Sequence, residues 1–512
     1  MPKLKNKVAA VIDIGSSDVK LQVSQLRGKQ IVPLSTLEYP LKLGHEVFCL
    51  GKISFECLRE LSHILSGFAQ VMREFGVQQY RAVGTTALRE ARNREFILDQ
   101  LLIQNRMAVE ILDDGREKSL IYSAMTQALR AQDAPEKLHE QALLAYIGTG
   151  SIGISLFNGS HIFFTQNIST GSLKLHDILG GVLEDTDDFA VVVEEYLDSV
   201  FTPIALPAPY SAITKLVLSG SETRRIARLC NAKTVNGSLV IKAKALLDLY
   251  RQIRLLPLEK LALKFNLSED AAEMLYSSLA IYAKLLKFTG ALHIVAPKVE
   301  LWDSLLQEML LQKNTQTREH ALACAVTVAK RYRYLQNHAD FLRALVCAMF
   351  DKLKALHGLS PSYKLLLEVA AILHDSGFFI NAKHHLCSNA HIVKYTDIYG
   401  LTDKETLMAA YICRFNEMET PDYKDAAFSS FTSGEKIIAL KLAAIFRLAC
   451  ALDISQKQKM ADIKMRLDAQ RLLISAKSDC NTRLERWAFE KCAGFFKEVF
   501  GILPVLTVKL CF

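Results

Sequence analysis

The sequence predicts a mixed α/β chain, with two related halves, then a largely helical region, then a small αβ piece at the end. Three observations predict it. Two short apolar runs each break into a glycine-rich loop, at Val11-Ile12-Asp13-Ile14-Gly15-Ser16-Ser17 and at Leu144-Ala145-Tyr146-Ile147-Gly148-Thr149-Gly150-Ser151. From about Arg318 the apolar spacing becomes almost continuously helical, and β signals return only at Leu472–Ala476 and Leu503–Leu510. At 512 residues the chain is also too long for one core, and about three to four domains are expected.

Taken in order, Val8–Ile12 and Leu21–Leu26 flank the first loop as a hairpin. Cys57–Phe75 repeats apolar residues at helical spacing. Tyr80–Gly84 reads as a strand and Thr86–Gln104 as the helix after it. Ala131–Gln141, charged and carrying Pro135, reads as a surface connection. Leu143–Ile147 and Ile152–Asn158 repeat the hairpin around the second loop, and Leu216–Ser219 is a further strand ending at Gly220-Ser221. A helix over Thr482–Phe500 separates the two late strands.

Composition bounds the class. Half of the residues are hydrophobic and 23% are charged, as in a globular chain. The net charge of +8 suits an anionic ligand without requiring one. The 11 cysteines include no Cys-x-x-Cys pair and read as reduced thiols. The basic segment Met1–Lys7 is followed by too short an apolar run for a signal peptide. Leu365–Leu373 and Ile437–Leu448, the longest apolar stretches, are cut by Glu368, Lys441 and Arg447, far from the roughly 20 clean residues that span a bilayer. The expectation is a cytoplasmic protein with no membrane association. No aromatic-plus-basic motif points to a specific nucleic acid.

The two loops carry the chemistry. Glycine lets a backbone approach a phosphate closely, and serine or threonine adds a hydroxyl donor. Gly15, Ser16 and Ser17, with Gly148, Thr149, Gly150 and Ser151, are therefore candidate phosphate ligands. Asp13 can hold a magnesium ion, directly or through water, whereas Tyr146 stands at the equivalent place in the second loop. Arg89 presents a planar fork suited to phosphate oxygens, and Glu117 can orient and deprotonate a water. Singly, each has a plain structural reading: a turn aspartate, a solvated helix arginine, and a glutamate in a charged turn with Asp113, Asp114, Arg116 and Lys118.

Together, three segments resemble the Ppx/GppA family of exopolyphosphatases and guanosine pentaphosphate phosphohydrolases. They are Asp13-Ile14-Gly15-Ser16, Gly84-Thr85-Thr86-Ala87-Leu88-Arg89-Glu90-Ala91-Arg92-Asn93, and Gly115-Arg116-Glu117-Lys118-Ser119-Leu120-Ile121-Tyr122. The last is similar to the family's Glu-Glu-Ala-Arg-Leu-Ile-Tyr, which aligns Glu117 with its second glutamate and Lys118 with its alanine. Leu366–Ile380 and Leu484–Gly501 continue the resemblance. It implies two ribonuclease-H-like (actin-like ATPase superfamily) domains over 1–130 and 131–310, a helical HD-like domain over 311–460, and a small αβ C-terminal domain over 461–512. It further implies release of terminal orthophosphate from inorganic polyphosphate or guanosine pentaphosphate, with Mg2+, Glu117 as base and Arg89 as a catalytic residue, in a homodimer. Lys330, Arg331 and Arg333 would line a polyanion channel.

The chain departs from that pattern in telling places. The family's second loop, Asp-Ile-Gly-Gly-Gly-Ser-Thr-Glu, reads here Tyr146 to Gly153, and both carboxylates are gone. A tyrosine, with an ordinary pKa of about 10, is no anionic metal ligand at neutral pH. The first loop's Asn-Ser becomes Ser17-Asp18, Gly-Leu-Arg-Glu-Gly becomes Glu300-Leu301-Trp302-Asp303-Ser304, and the glutamate before Glu117 becomes Arg116. Two readings stay open: an enzyme with a rearranged metal site using Asp18, Asp113 or Asp114, or a catalytically weak polyphosphate- or alarmone-binding regulatory protein. A kinase-like or actin-like ATPase shares the two-loop plan, but the Thr85–Asn93 segment argues against it. In the helical region His374-Asp375 is either a packed pair or a divalent-metal site completed by His338 or His384-His385, with Cys450 where the family-like segment has its aspartate.

Overall fold

The computed structural model describes residues 7–132, 140–175, 179, 189–311, 317–415, 426–468 and 470–510. The proposed connection around Pro135, and Asn416, lie outside them. Two compact units divide the chain, residues 1–317 and 318–512.

In the first unit, β1 (Val8–Ile14) turns at Gly15–Ser17 into β2 (Asp18–Arg27), which pairs with β3 (Gln30–Pro40). β4 (Gln79–Gly84) lies parallel to β1 on its other side, and β5 (Val109–Ile111) lies parallel to β4. The sheet order is therefore β3-β2-β1-β4-β5. The parallel β1–β4 pair needs a crossover, and the helix Phe55–Glu74 supplies it. Ser54 caps its N-terminus by accepting from the Cys57 amide, and Leu58, Leu61, Leu65, Phe68 and Met72 bury one stripe. That stripe packs into one core with Ile12, Ile14, Val19 and Leu21.

A second sheet repeats the plan. β6 (Gln141–Ile147), β7 (Ile152–Phe157) and β8 (Ile162–Ile168) form an antiparallel meander. β9 (Ile213–Gly220) lies parallel to β6, and β12 (His293–Ala296) parallel to β9. Read from β8 the order is β8-β7-β6-β9-β12, the same as in the first sheet. The hairpin of β10 (Lys233–Val235) and β11 (Ser238–Lys242) is added at the far edge. The loops match in register too. Ile14 faces Val19 and Gly84 as Ile147 faces Ile152 and Gly220.

The second unit is helical before it returns to a sheet. The helix Gln336–Lys352 packs against Lys364–Leu373 and Ser433–Ala451. Capping boxes at Thr402/Glu405 and Thr432/Glu435 start two of its helices. At the end, β13 (Ala461–Leu467) pairs antiparallel with β14 (Arg471–Ser478), and β14 pairs parallel with β15 (Leu503–Leu510) across the helix Arg483–Phe500.

Two sequence expectations change. The helix expected over Thr86–Gln104 is broken into Thr86–Glu90 and Arg94–Asn105. Asn93 leaves the helical path to hydrogen-bond the backbone of Ile53 in both directions, at 3.0 and 2.8 Å, while the Arg92 amide donates to the Gly51 carbonyl. The strands β3 and β13 had no counterpart in the sequence reading.

Candidate active site

The two glycine loops face one cleft of about 170 Å3, lined among others by Asp13, Ser16, Thr86, Glu117, Tyr146 and Thr149. The architecture puts them there: each loop closes the hairpin beside the central parallel pair of its sheet. In both loops the glycine amide closes the turn rather than serving a ligand. Gly15 N–H donates to the Asp18 carbonyl and Gly148 N–H to the Ser151 carbonyl, each at 2.9 Å. Phosphate donors must therefore come from the residues after them.

The first loop keeps such groups. Asp13 Oδ1 and Ser16 Oγ are buried and have no hydrogen-bond partner among the described residues. Burial, opposed by Lys20 and reinforced by Asp18, Glu117 and Glu300, pushes the Asp13 carboxyl up to about 7. An orphaned carboxylate oxygen among like charges is a position that suits a cation, and the residues present fit a magnesium ion at Asp13. Of the replacement carboxylates considered from sequence, Asp18 lines the cleft. Asp113 instead caps its helix by accepting from the Arg116 amide, and Asp114 is held by Arg89, Lys118 and Ser151.

The second loop is used differently. Gly148 and Thr149 line the cleft, but Gly150 and Ser151 do not. A Cβ on Gly150 would meet Thr86 Cγ2 at 2.4 Å, so this residue is pressed against the first half. Ser151 Oγ donates to Asp114 Oδ1 at 3.0 Å. As phosphate ligands these two are corrected to a latch between the halves.

Arg89 is corrected likewise. Its guanidinium donates to the Leu112 carbonyl at 2.7 Å, and to Glu117 Oε2, Thr86 Oγ1 and Asp114 Oδ1 at 3.1 Å each. The fork expected to meet phosphate is closed on the protein and orients Glu117. Glu117 is buried, lines the cleft, and has its pKa raised by burial against the opposing pull of Arg89.

The missing carboxylate at position 153 has a local cause. A Cβ there would lie 2.4 Å from Tyr122 Oη and 2.6 Å from Lys118 Cδ. The buried Lys118 side chain, whose ammonium pairs with Asp114, fills the space a larger residue would need. Sequence reading noted the lost carboxylate and passed over Lys118. Tyr146, on the strand position facing Gly153, lines the cleft, and burial followed by the nearby carboxylates holds its hydroxyl protonated. Arg116 pairs with Glu308 at 2.5 Å.

In the helical unit His374, Asp375 and His338 converge, whereas His385 stacks on Phe378. Asp453, which the sequence reading did not select, accepts from His338. Lys330 and Arg331 end the helix Thr317–Arg331, and Arg333 lies over the Phe379 ring.

Comparison with known proteins agrees with this geometry. The chain is 20% identical over 448 residues to the guanosine-5'-triphosphate,3'-diphosphate pyrophosphatase of Photobacterium profundum, covering 85% of this chain and 86% of that one. It is 28% identical to exopolyphosphatase 1 of Mycobacterium tuberculosis over 116 residues, 22% of this chain and 34% of the relative. The crystal structure of an exopolyphosphatase from Cytophaga hutchinsonii shares the fold, with a TM-score of 0.52 at 20% identity, over 60% of this chain and 98% of that one. The model of Ppx/GppA phosphatase domain III matches residues 322–491. With the model of the Ppx/GppA phosphatase family itself matching residues 22–296, more than half of the chain, this protein belongs to that family.

Proposed function

We propose that this chain is a phosphoanhydride hydrolase that releases terminal orthophosphate from inorganic polyphosphate or guanosine pentaphosphate. The observation that carries the reading is Glu117: a buried carboxylate on the wall of the two-loop cleft, held by Arg89. Its relatives named pyrophosphatase and exopolyphosphatase support the same class of reaction.

In this reading the terminal phosphate lies between the loops, where Ser16 Oγ and the amides of Ser16, Ser17 and Thr149 meet its oxygens. Glu117 orients the attacking water and takes its proton. Burial raises its pKa toward the working pH, and Arg89, a positioning residue, keeps it ionised and aimed. Asp13, with Asp18 near it, would hold Mg2+, which would neutralise charge on the non-bridging oxygens. The cleft also carries Glu38 and Glu300, so a polyanion entering it benefits from accompanying cations. Tyr146, kept protonated, supplies a donor where the family has a carboxylate. The two matching sheets support the ribonuclease-H-like assignment of residues 1–130 and 131–310. The helical unit is read as HD-like with an αβ tail, and the assembly as a homodimer. Among the described residues no helix is long and apolar enough to cross a membrane.

A second reading is favoured by Tyr146 and by the filled space at Gly153: a polyphosphate- or alarmone-binding regulatory protein with weak turnover. Phosphate release and equilibrium binding, measured side by side on long-chain polyphosphate and on guanosine pentaphosphate with Mg2+, separate the two. Multiple turnovers on either substrate support hydrolysis. Tight binding with less than one phosphate released per chain overturns it.

A further inference from the structure

We propose that the second compact unit binds one divalent transition-metal ion through His338, His374 and Asp375, with Asp453 as the positioning residue. The inference does not rest on the hydrolysis reading.

The proton positions carry the argument. His338 Nδ1 lies 2.7 Å from Asp453 Oδ2, and His374 Nδ1 lies 3.1 Å from the Ala371 carbonyl. A carboxylate and a carbonyl accept hydrogen bonds, so both Nδ1 atoms are the protonated ones. A neutral imidazole so arranged carries its lone pair on Nε2. The two Nε2 atoms face each other 3.2 Å apart, in rings that are 4% and 5% exposed. Two opposed lone pairs at that distance repel unless a cation or an extra proton sits between them.

Geometry favours the metal ion. Two nitrogens bound to one tetrahedral ion at about 2.0–2.1 Å stand roughly 3.3 Å apart. Asp375 closes the third side, with Oδ1 3.2 Å from His374 Nε2 and Oδ2 3.8 Å from His338 Nε2. The surrounding shell is built to hold these donors. Gln456 donates to Asp375 Oδ2 at 2.8 Å, Gln458 donates to both oxygens of Asp453, and Phe446 stands edge-on against His374. Such outer partners fix ligand orientation. Asp375 is the exposed member, its side chain 18% accessible, which leaves a route for exchange and a coordination position for water. Two imidazoles and one carboxylate select first-row ions such as Mn2+, Fe2+, Co2+, Ni2+ or Zn2+ over Mg2+ or Ca2+.

The test is equilibrium dialysis of the metal-stripped full chain against Co2+ in excess Mg2+, which competes at the cleft, with the visible ligand-field spectrum as the second readout. One Co2+ per chain is expected, with His374→Gln and Asp375→Asn each losing it. Asp453→Asn should weaken binding about 10–100-fold while keeping a nitrogen-ligated spectrum. His384→Gln with His385→Gln should leave it unchanged. Asp375→Asn disturbs no helix, so it keeps the test informative where His374→Gln fails to fold. A chain that binds no Co2+, or binds it equally well in Asp375→Asn, overturns the proposal. A ring-pair proton seen by NMR in the metal-treated chain overturns it too.

Discussion

Substituting alanine for Gly153 tests whether the lost second-loop carboxylate and Lys118 are one coupled change. The added Cβ would lie 2.4 Å from Tyr122 Oη, and 2.6 and 3.0 Å from Lys118 Cδ and Cε. Overpacking of this kind costs about 1–3 kcal/mol. The upper half of that range applies here, because Lys118 is tied to Asp114 and cannot withdraw. In a background carrying Lys118→Ala and Tyr122→Phe the obstructing atoms are gone. There Gly153→Ala should cost less than about 0.5 kcal/mol, the usual limit of additivity. Urea unfolding in a Trp487→Phe background gives the numbers, because fluorescence then reports Trp302 in the first unit. Equal costs of Gly153→Ala in the two backgrounds would refute the coupling and leave the glycine unexplained.

Other consequences follow from the same site. Asp13 titrates at about 7 in the fold and near 3.8 when unfolded, so the raised value means stability is lost as pH rises between the two. Relative to Asp13→Asn, the unmodified protein in EDTA should lose about 2–3 kcal/mol of unfolding free energy between pH 5 and pH 8. A pH-independent difference would contradict the burial of that carboxylate. Arg89→Met strips Glu117 of the cation that lowers its pKa. The acid limb of kcat/KM should then move to higher pH, and stability should fall by about 3–5 kcal/mol because two buried carboxylates lose their partner. An unmoved limb would remove Arg89 from its positioning role. Restoring the carboxylate with Tyr146→Asp should raise Mg2+-dependent turnover if the cleft retains its metal position at Asp13, and unchanged turnover would show that the tyrosine is no handicap.

Much of the site was legible because its signals are local. An apolar run breaking at Gly15 or Gly148 dictates a hairpin, and the same register recurs in both sheets. The stripe of Leu58, Leu61 and Leu65 dictates its helix. What escaped is set by partners distant in sequence. The helix break at Asn93 is made by Ile53, forty residues earlier, and no propensity in 86–104 announces it. Strand β3 hides because it sits at the sheet edge with none of its residues fully buried, which blurs the alternation. Arg89 looked like a phosphate fork because Glu117 and Asp114 lie a quarter-turn of the fold away, on another helix. Asp453 is joined to His338 across 115 residues.

The most direct measurement is phosphate release from long-chain polyphosphate with Mg2+ by the unmodified chain and by Glu117→Gln, with polyphosphate binding measured on the same samples. The account predicts turnover in the first, loss of at least about 100-fold in the second, the usual contribution of a general base, and binding of equal affinity in both. Undiminished release by Glu117→Gln would contradict it.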